Sequence, residues 1–136
     1  MKIFISHAHE DVEVARRIAE GLRSTGLDVW LAESEIMPGE NYAERISQAL
    51  GDAQGMVVVL TPHALRSPWV RQDIEYALGN QRYSGRVVPV VAAPEGDVPP
   101  NEIPWILRQL QMVILTGPEP EAERISQIAA VFRKAS

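Results

Sequence analysis

The sequence predicts an α/β fold built on a five-stranded parallel sheet. Three observations carry that expectation. Short apolar runs of strand length alternate along the chain with segments of helical period. The run Met56-Val57-Val58-Val59-Leu60 is apolar on both faces, as a strand covered by helices on each side must be. A length of 136 residues suffices for one two-sided core but not for two ordinary domains, so residues 1–136 read as a single domain.

Taken in order, Lys2-Ile3-Phe4-Ile5-Ser6 is a first strand, after which the period changes. From Asp11 onward, Val12, Ala15, Ile18, Ala19 and Leu22 fall on one helical face. Gly26 stops that helix, and Leu27-Asp28-Val29-Trp30-Leu31 is a second strand suited to a half-buried pleat. A loop from Ala32 to Gly39 follows. Ala43, Ile46, Ala49, Leu50 and Ala53 mark a second helix, and Gly55 leads into the third strand, residues 56–60. The third helix begins near Pro68, whose missing N–H has no helical partner in a first turn, and buries Val70, Ile74, Ala77 and Leu78. Gly85-Arg86 opens a fourth strand, residues 87–92, where Pro89 predicts a bulge or irregular stretch. The Pro-rich segment 94–104 is a loop, residues 105–110 a short helix and residues 112–115 a fifth strand. A last helix buries Ala122, Ile125, Ile128, Ala129 and Phe132. Right-handed crossovers then give a flavodoxin-like three-layer sandwich with strand order 2-1-3-4-5.

Composition excludes several functions. The 13 basic and 18 acidic residues leave a net charge of −5, the wrong sign for holding a phosphate backbone by bulk electrostatics, so nucleic acid is not an expected ligand. The absence of cysteine removes disulfides, thiolate metal sites and cysteine nucleophiles together. The longest apolar runs, 56–60 and 87–93, fall far below a membrane span, and Met1-Lys2 leads into a strand rather than a signal sequence. The expectation is a cytoplasmic protein with no membrane partner.

In a doubly wound sheet, ligands bind beyond the carboxyl ends of the strands where neighbouring connections leave on opposite faces, here between strands one and three. Two loops are therefore singled out, Ser6 to Asp11 and Thr61 to Ser67. They hold His7, His9 and His63 with Arg66 and Ser67. A phosphoacceptor receiver would need a carboxylate after strand three and a lysine after strand five, where this chain has Leu60-Thr61 and Leu115-Thr116. A flavin site would need a hydroxyl- and glycine-rich loop after strand one. Two histidines on one loop with no dictated third ligand are weak grounds for a metal, and none is expected.

The segment Ser67-Pro68-Trp69-Val70-Arg71-Gln72-Asp73 sets an aromatic and a carboxylate one helical turn apart at a helix start. With Phe4-Ile5-Ser6-His7 and Asp11, and with Val29-Trp30-Leu31 followed by Glu33 and Glu35-Ile36-Met37-Pro38-Gly39, it resembles the Toll/interleukin-1 receptor (TIR) domain family, bacterial type, over nearly the whole chain. In NAD-cleaving members a glutamate four residues after the tryptophan binds the ribose beside nicotinamide and stabilises charge at its anomeric carbon. The resemblance puts Asp73 in that position, with Phe4, Ser6, His7, Asp11, Trp30, Glu33, Arg66, Ser67 and Trp69 as substrate-binding residues. Arg66 and Arg71 would suit a diphosphate. Glu35, Ile36, Met37, Pro38 and Gly39 match the BB loop, through which TIR domains assemble. Glu75 lies roughly 200° around the helix from Asp73 and is not a substitute for it.

Two functions follow from the resemblance. One is an NAD+ glycohydrolase or cyclase, releasing nicotinamide and ADP-ribose or a cyclic isomer, activated by self-association and acting in innate immunity and antiviral defence; NAD+ is then substrate, with no cofactor. The other is a non-catalytic adaptor that assembles with other TIR domains, a reading that the aspartate at 73 favours more than a glutamate would. A reach error of about 1 Å in such a group can cost on the order of 100-fold in rate.

Overall fold

A computed structural model describes residues 1–94 and 96–135. Glu95, inside the expected loop 94–104, and Ser136 lie outside the described residues. Five parallel strands run β1 (Lys2–Ser6), β2 (Asp28–Trp30), β3 (Gly55–Leu60), β4 (Val87–Val91) and β5 (Val113–Ile114). Their order is β2-β1-β3-β4-β5, as the sequence predicts. The main helices are α1 (Val12–Ser24), α3 (Tyr42–Asp52), α5 (Pro68–Leu78) and α7 (Glu121–Ala135). Single-turn helices α2 (Ala32–Glu35), α4 (Pro62–Leu65) and α6 (Trp105–Arg108) sit between them.

Strand alternation sorts the core into two layers. Ile3, Ile5, Val57, Val59, Val88 and Val90 point to α1 and α7, where they meet Ile18, Leu22, Ile128 and Phe132. Phe4, Met56, Val58 and Leu60 point the other way, to Leu50 of α3, Ile74 of α5 and Tyr83. All six residues of β3 are buried, which agrees with its two-sided apolar run at the sheet centre.

Several expectations are corrected. The loop expected over 32–39 begins with α2, and the loop 61–67 contains α4. Ala43, Ala122 and Leu78 are exposed rather than buried. On α5 the buried stripe is Val70, Asp73, Ile74 and Ala77, an i, i+3, i+4, i+7 face that Leu78 overshoots. The short helix 105–110 stops at Arg108, and strand 112–115 contracts to two residues.

Pro89 makes no bulge, since β4 keeps continuous register with β3 through the pair Val58↔Pro89. The reason is parity. Arg86 and Ala92 bond to β3, so even-numbered residues face that strand, while Val91 O receives Leu115 N on the β5 side. Pro89 therefore faces β5, whose pairing starts only at Val90↔Val113. The missing N–H falls where no strand asks for it.

Gly55 starts β3 against α7. A Cβ there would lie 2.8 Å from the Phe132 ring and 3.4 Å from the Arg86 carbonyl, and neither a packed ring nor a ladder backbone yields easily. Gly55→Ala is expected to destabilise the fold by about 1–3 kcal/mol through overpacking, read as a lower urea midpoint at unchanged slope.

Candidate functional site

The loop after β1 sends consecutive side chains to different neighbours. Ser6, 1% exposed, donates from Oγ to Asp73 Oδ2 on α5 at 2.7 Å. His7 donates from Nδ1 to the Ala8 carbonyl at 2.7 Å and sets Nε2 2.9 Å from Glu33 Oε1 on α2. Asp11 Oδ2 accepts from the Thr61 hydroxyl, which itself accepts from Ala64 N to cap α4. One loop thus fastens α2, α4 and α5 to the carboxyl end of the sheet.

A cavity of about 250 Å³ opens between these elements, on the α3 and α5 side of β1. Its wall is built by Phe4, Ile5, His7 and His9 from β1 and its loop, and by Ala32 and Glu33 from α2. Tyr42 and Ile46 of α3 and Ser67, Trp69 and Asp73 at the start of α5 complete it. Ser67 accepts from Val70 N at 3.3 Å as the N-cap of α5, so Pro68 takes the first helical position and Trp69 the second. Trp69 remains 54% exposed at the rim, not packed into the core.

Asp73 lies in the second turn of α5, beyond the free amides of the helix start, yet it is only 8% exposed. Burial drives its pKa up to about 6, against the lowering effects of the Ser6 hydrogen bond and the nearby His7 charge. Its second carboxylate oxygen takes no hydrogen bond from the described residues. A carboxylate held in a core stripe and left half-satisfied beside a cavity is a feature that stability alone does not favour.

His7 and Glu33 form the second charged element. Burial alone would lower the His7 pKa, but the Glu33 hydrogen bond, the Ala8 carbonyl and the charges of Glu33 and Asp11 together raise it. Burial would likewise raise Glu33, and the bond to His7 outweighs it, so Glu33 is lowered. With a carbonyl at one ring nitrogen and a carboxylate at the other, the imidazole fits its doubly protonated form. The side chain of His7 is 6% exposed and that of Glu33 is 24% exposed, so the pair is closed to bulk water on one side. The Tyr42 phenol is raised by burial first and then by the Glu33 and Asp73 charges, which keeps its proton in place.

Of the residues singled out from the sequence, the cavity gathers Phe4, His7, Glu33, Ser67, Trp69 and Asp73, with Ser6 bonded behind Asp73. Others stand elsewhere. Trp30 is 7% exposed and stacks on Phe4 with ring centres 5.2 Å apart, so it supports the wall from behind. Asp11 makes no side-chain cap to α1 and instead ties the β1 loop to Thr61. Arg66 is an exposed residue at the end of α4 and does not line the cavity. His63 faces Glu10 at 3.5 Å outside the cavity. Among the described residues no His, Asp and Glu cluster suited to a metal is gathered. The crevice between strands one and three is therefore bridged by Asp11–Thr61, and the opening shifts toward α2 and α3. His9 lies in the loop that topology singles out, though not among the residues the resemblance implies, and Tyr42 was not singled out; Tyr42 had a signal, as the first residue of the helix that follows the Gly39 turn.

The segment Glu35, Ile36, Met37, Pro38 and Gly39 connects α2, which carries Glu33 of the wall, to α3, which carries Tyr42 and Ile46. Met37 is 63% exposed, and Gly39 has φ +90°, a conformation that favours glycine. The Met37 N–H donates to Glu40 Oε1 at 2.8 Å, and Arg45 donates to the Glu35 carbonyl at 3.1 Å. The first bond closes the turn on itself, and the second anchors the start of the segment to α3.

Comparison with known proteins places this geometry. A family model described as TIR domain matches residues 3–129. A 2′ cyclic ADP-D-ribose synthase of Bacteroides thetaiotaomicron is 29% identical over 86 residues, 62% of this chain and 30% of that protein. An NAD(+) hydrolase of Paracoccus denitrificans is 32% identical over 74 residues, 54% of this chain and 25% of that protein. The chain thus spans about a quarter to a third of the length of these relatives. The structure of a metazoan TIR-STING receptor from C. gigas superposes with a TM-score of 0.72 at 25% identity, covering 95% of this chain and 39% of that one. Matched across residues 3–129 on a β2-β1-β3-β4-β5 sheet, the chain belongs to the TIR domain family.

Proposed function

We propose that this chain is a TIR domain that cleaves NAD+ between nicotinamide and ribose, with Asp73 as the catalytic carboxylate. The observation that carries the reading is the carboxylate itself, buried in the apolar stripe of α5, pinned by Ser6 and presented at a cavity whose rim is an exposed tryptophan. Relatives named as an NAD(+) hydrolase and a 2′ cyclic ADP-D-ribose synthase support the same chemistry at the level of the family.

The chemistry asks little of the protein beyond placed charge. As the glycosidic bond breaks, its electron pair goes to the pyridinium nitrogen and nicotinamide leaves neutral, so no acid is needed. Positive charge grows on the ribose ring. A carboxylate fixed beside C1′ in a partly dehydrated cavity stabilises that charge more in the transition state than in the substrate. The free oxygen of Asp73 has this role, Trp69 flanks the base, and the His7–Glu33 pair holds α2 against the opposite wall. Water at C1′ completes hydrolysis; a ring nitrogen or hydroxyl of the adenosine half completes cyclisation.

In this reading the domain spans residues 1–136, and self-association through Glu35 to Gly39, between α2 and α3, switches activity on. The product serves as a signal in bacterial immunity. No described helix is long and apolar enough to cross a membrane, and the proposal sets the reaction in the cytoplasm. The adaptor reading draws on one observation, the shorter reach of aspartate, and it requires that Asp73 be dispensable.

Asp73→Asn should lower nicotinamide release from NAD+ by about 100-fold or more, measured by mass spectrometry on concentrated protein. The same variant should melt at a higher temperature at pH 7.5. Asp73 has a folded pKa raised from 3.8 to about 6, so its ionisation opposes folding progressively as pH rises from about 4 to 6, and fully above that. Removing the charge relieves about 3 kcal/mol at pH 7.5 and little at pH 4. A structural carboxylate would give the opposite result, loss of stability at neutral pH.

The rate should also follow the ionised carboxylate. Initial rates of NAD+ cleavage measured from pH 5 to 8 are expected to fall as pH drops through about 6, following protonation of Asp73. A rate that stays flat across that interval would remove Asp73 from the reaction.

A further inference from the structure

The cavity that holds Asp73 is small and carries the wrong charge for a phosphate. Its volume of about 250 Å³ is below the ~300–1,000 Å³ of pockets that enclose a drug-sized ligand. A whole dinucleotide is not enclosed; part of one is. Charge decides which part. Asp73 and Glu33 are the acids on the wall, and no lysine or arginine lines it among the described residues. Of the two imidazoles, His7 is committed to Glu33 and the Ala8 carbonyl, and His9 faces the charge of the same Glu33. Arg66, the natural candidate for a diphosphate, stands outside.

A cationic ring suits this wall. A pyridinium can lie on the exposed face of Trp69, a cation–π contact of the kind that recognises quaternary nitrogen. The attached ribose then lies toward Asp73, whose second oxygen has no donor of its own among the described residues. A phosphate on that ribose would bring negative charge toward the two carboxylates, and the imidazolium beside them, His7, is already engaged by Glu33 and the Ala8 carbonyl.

Resting on the proposed NAD+ cleavage, we propose that the minimal ligand of this cavity is an N-ribosylated pyridinium cation, so that nicotinamide riboside, which carries no phosphate, is a substrate in its own right. The reaction balances without any further reagent. The bond between C1′ and the pyridinium nitrogen breaks, its electron pair neutralises the ring, water adds at C1′ and releases one proton to solvent, and the products are nicotinamide and ribose. Nothing is oxidised or reduced.

The test compares nicotinamide release from NAD+, nicotinamide riboside and nicotinamide mononucleotide by the 136-residue chain, at one pH and ionic strength. The expected result is kcat/KM for the riboside within about tenfold of that for NAD+. The mononucleotide should be slower than the riboside by about tenfold or more, with the gap narrowing at high salt. Asp73→Asn should abolish release from the riboside as from NAD+. Cleavage of NAD+ with no turnover of the riboside, or a mononucleotide faster than the riboside, would overturn the inference and leave NAD+ cleavage standing. Silence on all three substrates would overturn both.

Discussion

The hydrogen bond from Ser6 to Asp73 ties the end of the interior strand β1 to the second turn of α5, and the site depends on that joint. A carboxylate buried in an apolar stripe has few ways to stay put. Ser6 supplies one donor, the His7 charge supplies a field, and both come from adjacent residues of one strand end. Because β1 pairs with β2 on one side and β3 on the other, its carboxyl end and loop reach α2, α4 and α5 together. Moving β1 by one register would turn Ser6 to the α1 and α7 face and leave Asp73 with a buried charge and no donor.

That arrangement also explains why the opening is displaced from the crevice between strands one and three. Topology leaves a gap wherever connections diverge, but polar side chains decide whether it stays open. Asp11 and Thr61 bond across it, and Glu10 faces His63 just outside. The remaining space lies on the α3 face, where α2 replaces an extended loop and brings Glu33 to His7. Connection geometry sets the neighbourhood of the site; side-chain satisfaction sets its position within it.

The same division marks what was legible in the sequence. Strand order followed from apolar runs and helical periods because burial on both faces leaves few alternatives for residues 56–60. Pro89 misled because composition does not record parity: the same proline one residue later would face β3 and break the ladder. Ala43, Leu78 and Ala122 sit at helix ends, where the apolar period continues past the surface that covers it. Asp73 was singled out, and its burial could have been found by extending the stripe of Val70, Ile74 and Ala77, which includes position 73 at helical spacing. The pairings of His7 with Glu33 and of Asp11 with Thr61 could not, since they join residues 26 and 50 positions apart, and no local pattern encodes which of several polar groups meets which.

Aspartate at position 73 brings one consequence into focus. A glutamate would carry its carboxylate about 1.5 Å farther from α5, the length of one carbon–carbon bond. The shorter side chain keeps its oxygen 2.7 Å from Ser6, close under β1. In the proposed reaction, a ribose served by this carboxylate sits deeper, against Phe4, than one met by a glutamate reaching outward. The wall there is apolar and is backed by the Phe4–Trp30 stack, which strengthens each charge interaction made in front of it. In the proposed reaction a deeper seat excludes more water from the developing cation, and the same depth holds the ribose, with whatever its 5′ carbon carries, between the two acids of the wall.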